Sequence, residues 1–364
     1  MRKQVLIIIS VALASFLMGA TFSVVASNGE NLFAKIWQAI SNLQERVENL
    51  ERALGGKVGL ILTTEGLGDK SFNDVSYAGV QRAKDEFGID FGYVQPTAIA
   101  EYEVYQRAFA ATGDYKIIIC VGFDQADALT KVAAEYPSQR FVIIDKVVDK
   151  PNVASLLFKQ NEGSFLVGVV AGMKTETGKV GFVGGMDIPL IRDFFVGYEA
   201  GAKWANSAVE VVAPVFVGGW ADPTKGKELA IGLADLGVDV IYAAAGKSGL
   251  GVLEAVHERA ILGLGVDACQ CHLHPEIVAS MTKRVDVAAF DMIKATIEEA
   301  FQGGIYSGGL KEGWVGCCRL PEEESFWEEM FGFTHALLET IVIDKIEEAR
   351  DKIVAGEITV PSAL

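Results

Sequence analysis

From Lys57 onward, short runs of apolar and β-branched residues alternate with longer amphipathic stretches. Strands are predicted near 58–62, 92–95, 116–121, 140–144 and 153–158, with helical patterns around 75–87, 102–111 and 125–135. A second series has strands near 180–184, 211–216, 240–244, 262–266 and 279–281. Its helices fall near 163–174, 191–206, 224–236, 250–259 and 285–301. Regular alternation of this kind builds βαβ units, whose parallel sheets are covered on both faces. Right-handed crossovers then close each series into a doubly wound lobe. The expected fold class is α/β with two such lobes, the first at about 57–158 plus part of 285–330, the second at about 159–284. A last helical pattern, 334–355, begins beyond both and is placed to pack back across them. Paired lobes take a small ligand in the cleft between them, at the carboxyl ends of the strands.

The chain ahead of this body has a different pattern. Arg2 and Lys3 precede an apolar stretch from Val5 to Ala26, which reads over 1–28 as a signal anchor or a cleaved signal peptide. The basic flank stays in the cytoplasm, so the rest faces the outside. Val24-x-Ala26 offers a cleavage site, but no cysteine precedes Cys120 to carry a lipid, and an uncleaved anchor is the preferred expectation. Phe33, Ile36, Ile40, Leu43, Val47, Leu50 and Leu54 then repeat at alternating spacings of three and four, until Gly55-Gly56 ends the pattern. Over 29–56 this predicts an oligomeric coiled-coil stalk, an amphipathic helix packed on its own domain, or a loose linker.

Composition narrows the ligand. Half of the residues are hydrophobic, enough for a sizeable core, while the net charge is −16. That charge excludes nucleic acid and anionic membrane surfaces as partners and disfavours polyphosphates. A neutral or cationic solute fits. No nucleophile stands with a matching base, and His257 sits beside Glu254 and Glu258 on a solvated helical face, so no catalytic residues are assigned and no enzyme is expected. Gly246-x-x-Gly249-x-Gly251 lacks the order of a dinucleotide fingerprint. No cofactor is implied.

The loops after the strands carry the candidate chemistry. Asp69, Ser71, Phe72 and Asn73 follow the first strand, with Ser71 or Asn73 in position to cap the next helix. Phe123 and Asp124 follow the third, Asp145 the fourth, and Trp220, Gly246 and Asp267 follow strands of the second lobe. Flat aromatics can stack on a planar ring, and carboxylates can accept hydrogen bonds from ring nitrogens or sugar hydroxyls. Their repetition at successive strand ends suits a nucleoside or a similar ring-plus-polyol ligand. Cys120, in an apolar run, reads as a small buried hydrophobe. Cys269-Gln270-Cys271-His272-Leu273-His274, read at the cleft edge, groups soft and imidazole ligands, but its spacing departs from that of zinc sites and no metal is assigned. A disulfide from Cys269 or Cys271 to Cys317 or Cys318, or free thiols, are the other readings.

From Lys57 to about Pro361 the chain resembles the BMP family, the basic membrane lipoproteins that include purine nucleoside receptors of ABC importers. The matching stretches include Asp69-Lys70-Ser71-Phe72-Asn73, Gly181-Phe182-Val183-Gly184-Gly185-Met186, Asp222-Pro223-Thr224-Lys225-Gly226-Lys227, Gly265-Val266-Asp267 and Thr282-Lys283-Arg284-Val285-Asp286. The resemblance implies a periplasmic-binding-protein type I fold with a multi-strand hinge, no catalysis, and permease and ATPase subunits as partners. It implies that Phe72 and Trp220 sandwich a base, that Asp267 and Lys283 hold ribose hydroxyls near Gly246, and that Asp124 or Asp145 meets the base edge. Trp220 stands where the family usually has Phe, Cys269 where an acidic residue is common, and the lipidated cysteine is missing. A surface sensor signalling through the coiled coil is the alternative to transport, and a nucleoside-processing enzyme a more distant one.

Overall fold

The computed structural model describes residues 36–42, 56–334 and 338–364. Of the N-terminal unit, Met1–Leu54, it describes the helical stretch 36–42. The apolar segment at 5–26 and the heptad positions other than Ile36 and Ile40 lie outside the described residues. So does His335. Among the described residues no helix is long and apolar enough to cross a membrane.

The second unit, Gly55–Leu364, is built on two sheets. In chain order its elements begin with β1 (Lys57–Ile61), α1 (Phe72–Phe87), β2 (Asp90–Val94), α2 (Glu101–Thr112), β3 (Tyr115–Cys120), α3 (Ala126–Glu135), β4 (Phe141–Ile144) and β5 (Val153–Phe158). Next come α4 (Gln160–Lys174), β6 (Lys179–Gly184), α5 (Pro189–Ala205), β7 (Glu210–Val211), β8 (Val215–Phe216), α6 (Pro223–Asp235), β9 (Val240–Ala244), α7 (Gly249–Glu258), β10 (Leu262–Gly265) and β11 (Ile277–Lys283). The chain closes with α8 (Val285–Ile297), β12 (Gly304–Gly308), β13 (Val315–Cys317), α9 (Pro321–Phe331) and α10 (Thr340–Val354). The first sheet runs β2-β1-β3-β4-β5-β12, all parallel. The second runs β7-β6-β9-β10-β11-β13, with β8 also on β6 and β13 antiparallel to β11.

The central strands are apolar because both faces are covered. In β3, Ile117 and Ile119 enter one core while Ile118 and Cys120 enter the core on the opposite face. Cys120 is fully buried there, as its apolar neighbours predict. The strand expected at 211–216 is instead split into β7 and β8. Pro214 lies in the gap and has no N–H to donate to a ladder. The C-terminal helix starts at Thr340 rather than 334, because Glu339 is still extended at ψ 135°. Helix α8 ends at Ile297, short of the predicted 301, and β11 extends past its predicted end to Lys283. The packing of α4 on α5 requires glycine at Gly168, where a Cβ would lie 2.2 Å from the Tyr198 carbonyl oxygen.

The chain passes between the sheets at three places: β5 to α4, β11 to α8, and β12 to β13. These crossings are tied to one another. The Lys159 N–H donates to the Gly308 carbonyl at 2.9 Å, and the Arg284 N–H to the Trp314 carbonyl at 2.8 Å. Trp314 packs on Phe158 with ring centroids 5.2 Å apart.

Candidate ligand-binding site

The strand-end loops of both sheets converge on one cleft of about 680 Å³. The loop from β1 to α1 forms one wall and is organised by Asp69. Its carboxylate accepts hydrogen bonds from the backbone N–H groups of Ser71 (3.0 Å), Asn73 (2.8 Å) and Asp74 (3.2 Å). Asp69 thereby satisfies the orphan donors of the first turn of α1. The sequence reading gave this role to Ser71 or Asn73. A carboxylate with two oxygens reaches three donors, whereas the Ser71 side chain makes no capping bond. The Asn73 amide closes the loop by bonding to Thr63 and to Asp69.

Ser71 is thus left to act elsewhere. Its hydroxyl donates to Asp267 Oδ2 at 2.5 Å, from the first-sheet side of the cleft to the second. Gln270 Nε2 makes a parallel contact to the Lys70 carbonyl at 3.1 Å. Burial pushes the pKa of Asp267 up to about 6, although the Lys283 charge and the Ser71 hydroxyl pull it back. Asp267 (φ 64°) and Asp145 (φ 69°) both hold the left-handed backbone conformation, uncommon for residues other than glycine. Such strain collects at sites where geometry matters more than local comfort.

Lys283, the last residue of β11, meets both oxygens of Asp145 at 2.6 Å in a pair almost closed to solvent. Its ammonium also lies 5.2 Å from the ring centre of Phe72 and 5.6 Å from that of Phe194. Asp124 is held differently. Tyr102, fully buried on α2, donates its hydroxyl to Asp124 Oδ2 at 3.0 Å and accepts from the Thr64 N–H at 3.2 Å. Burial raises the pKa of Asp124 and, with the adjacent carboxylate, that of the Tyr102 phenol. Burial likewise raises Asp69. On the opposite wall the Trp220 ring lies over Gly185, where a Cβ would fall 2.2 Å from Cζ3, and against Gly246.

Asp69, Phe72, Asn73, Phe123, Asp124, Asp145, Trp220, Gly246, Asp267 and Lys283 all line this cleft, and Ser71 reaches it through Asp267. Thr63, Glu65 and Lys247 line it too, from loops the sequence had singled out without naming them as contacts. Leu190, Ile191 and Phe194 were missed because their helical spacing on α5 matches a core pattern. Tyr102 was missed for the same reason, and its signal was a buried phenol that had to find a partner. Carboxylates outnumber ammonium groups along the walls, in keeping with a neutral or cationic solute.

Of the cysteine–histidine run, Gln270 reaches the rim through Lys70, while none of the run's residues lines the cleft itself. Cys269 is fully buried away from it, because the chain turns inward directly after Asp267. His257 is half-exposed, contacting Glu276 at 2.8 Å and stacking on His274.

A family model described as ABC transporter substrate-binding protein PnrA-like (Bmp) matches residues 57–363. An uncharacterized lipoprotein of Pyrococcus abyssi is 33% identical over 313 residues, covering 81% of this chain and 78% of its own length. Basic membrane protein A of Borreliella burgdorferi is 31% identical over 306 residues, 81% of this chain and 84% of its own. Among solved structures, an ABC transporter solute-binding protein from Aeropyrum pernix K1 superposes with a TM-score of 0.73 at 34% identity, covering 84% of this chain and 93% of its own. An arabinose-binding protein from Geobacillus stearothermophilus (TM-score 0.57, 13% identity, 72% of this chain and 96% of its own) shares the fold alone. The architecture is thus that of the periplasmic-binding proteins, with two parallel-sheet lobes.

Proposed function

The chain belongs to the Bmp family of PnrA-like ABC transporter substrate-binding proteins, which are solute receptors rather than enzymes, and from that premise we propose that its ligand is a purine nucleoside. The observation that carries this reading is the pairing of Phe72 and Trp220 on opposite walls of a cleft otherwise rich in carboxylates. Two aromatic faces favour a planar base by stacking. Asp267 accepts hydrogen bonds from ribose hydroxyls, and Lys283, steadied by Asp145, donates to their oxygens. Asp124, its carboxylate aimed by Tyr102, reads the edge of the base. The receptor works on the outer face of the cell membrane, tethered through the apolar segment at 5–26, and delivers its ligand to permease and ATPase subunits. The seam over 33–54 supplies the stalk and a route to self-association.

A thermal-shift screen of the full-length chain with nucleosides, free bases, sugars and amino acids tests the ligand class. A ligand at 100 times its Kd adds about 2.7 kcal/mol of stability. Inosine, guanosine or adenosine is expected to stabilise the chain. A response confined to sugars or amino acids would remove the nucleoside reading and leave the receptor.

A further inference from the structure

Outside the cleft, the second lobe gathers three sulfurs. Cys269 and Cys271, on the loop after β10, meet Cys318, which directly follows β13, and the three ligand atoms lie within 4.8 Å of one another. Cys271 Sγ and Cys318 Sγ are 3.8 Å apart. Sulfurs bound at about 2.3 Å to one metal stand about 3.8–4.0 Å from each other, whereas a disulfide needs roughly 2 Å. The surroundings also suit thiolates. The Ser280 N–H donates to Cys318 Sγ at 3.2 Å, and the buried Arg319 guanidinium places positive charge near Cys271. The loop is pinned from other directions. Gln270 accepts from the Val266 N–H at 3.0 Å, its own N–H donates to the Ser280 hydroxyl at 3.0 Å, and His272 Nδ1 lies 3.0 Å from the Cys269 carbonyl. Cys317, one residue away, is not in the group.

We propose that Cys269, Cys271 and Cys318 form a binding site for a thiophilic d10 metal ion, Cu(I) or Zn(II). On binding, three S–H bonds are replaced by three sulfur–metal bonds and the protons pass to solvent; no electron is transferred. Among the described residues no further histidine, cysteine or carboxylate joins the group. A three-sulfur donor set of this softness suits Cu(I) in trigonal coordination, while Zn(II) needs a fourth ligand from solvent. Sequence spacing concealed the site because its third ligand lies 47 residues beyond Cys271. Its structural effect is to clamp the loop that carries Asp267 to the end of the last strand of the second sheet. The site stands whatever the cleft binds.

The test uses the full-length chain, reduced and handled without oxygen. It is incubated with Cu(I) or Zn(II), freed of excess ion by gel filtration, and assayed by metal mass spectrometry. The expected result is about one ion per chain, retained by Cys120→Ser and held at least about tenfold more weakly by Cys271→Ser. Comparing the two incubations identifies the metal. Substoichiometric retention by the unaltered chain would overturn the proposal whatever the variants do. Retention by Cys271→Ser and Cys318→Ser as tight as that of the unaltered chain would also overturn it, as would a Cys271–Cys318 disulfide in chain isolated without reductant that blocks uptake.

Discussion

Replacing Asp267 by Asn separates the cost of its carboxylate from its use. Asparagine keeps the shape, an acceptor oxygen for the Ser71 hydroxyl, and tolerance of the left-handed backbone at φ 64°. It removes the charge and turns the other acceptor oxygen into an NH2 donor. In the folded chain the carboxyl holds its proton up to about pH 6, against an ordinary value of 3.8, because burial disfavours the anion. Between those values the folded state binds more protons than the unfolded chain. Stability from this group is therefore fully present below about pH 4 and is lost as pH rises to about 6. At about 1.4 kcal/mol for each pH unit, the loss reaches about 3 kcal/mol at neutrality. Equilibrium urea unfolding of both proteins without ligand, at intervals from pH 4 to pH 7, is the assay. The two are expected to be nearly equal at pH 4, with Asp267→Asn more stable by about 1–3 kcal/mol at pH 7. The same variant is expected to lose most of its nucleoside affinity. A variant less stable than the parent at pH 7, or a difference that does not change with pH, would refute the reasoning.

Other substitutions probe the remaining walls. Phe72→Ala and Trp220→Ala each remove one stacking face, expected to cost about 1–3 kcal/mol of ligand binding by isothermal titration while leaving unfolding little changed, since both rings are half-buried. Lys283→Met strands the buried Asp145 carboxylate, and a loss of about 3–5 kcal/mol in urea unfolding is expected at pH 7, less once Asp145 is also made apolar. Gly168→Ala drives a methyl into the Tyr198 carbonyl and forces α4 from α5, lowering stability by about 1–3 kcal/mol with ligand contacts untouched.

Central strands were the most legible part of the chain. A run such as Ile117-Ile118-Ile119 has no other economical home than a sheet covered on both sides. Short or shared elements were not legible. Edge strand β12 exposes Ile305 and carries no apolar repeat, and β13 is three residues long, so neither left a periodic trace. Their pairing is decided by distant partners, Val153–Phe158 for the first and Ile277–Lys283 for the second. The same holds at the cleft. Strand ends pointed to Phe72, Trp220 and Asp267 because loops after parallel strands must converge. Which side chain caps, which bridges and which is held by a tyrosine depends on distances that sequence order does not encode. The capping by Asp69 and the hold of Tyr102 on Asp124 were missed on that account, and Ser71 was offered a capping role that it does not fill.

The three crossings between the sheets also govern how the molecule is born. A chain made from its N-terminus completes β1 to β5 early, yet β12, the strand that covers the β5 edge, comes only at Gly304–Gly308. Until then β5 presents an unpaired row of N–H and C=O groups, the kind of edge that invites wrong partners. The second sheet waits as long for β13, which closes β11 at Val315–Cys317. Neither lobe can finish before nearly the whole chain is available, and contacts this distant in sequence close slowly. Whatever order the helices form in, the edge of β5 stays open until Gly304–Gly308 has been made.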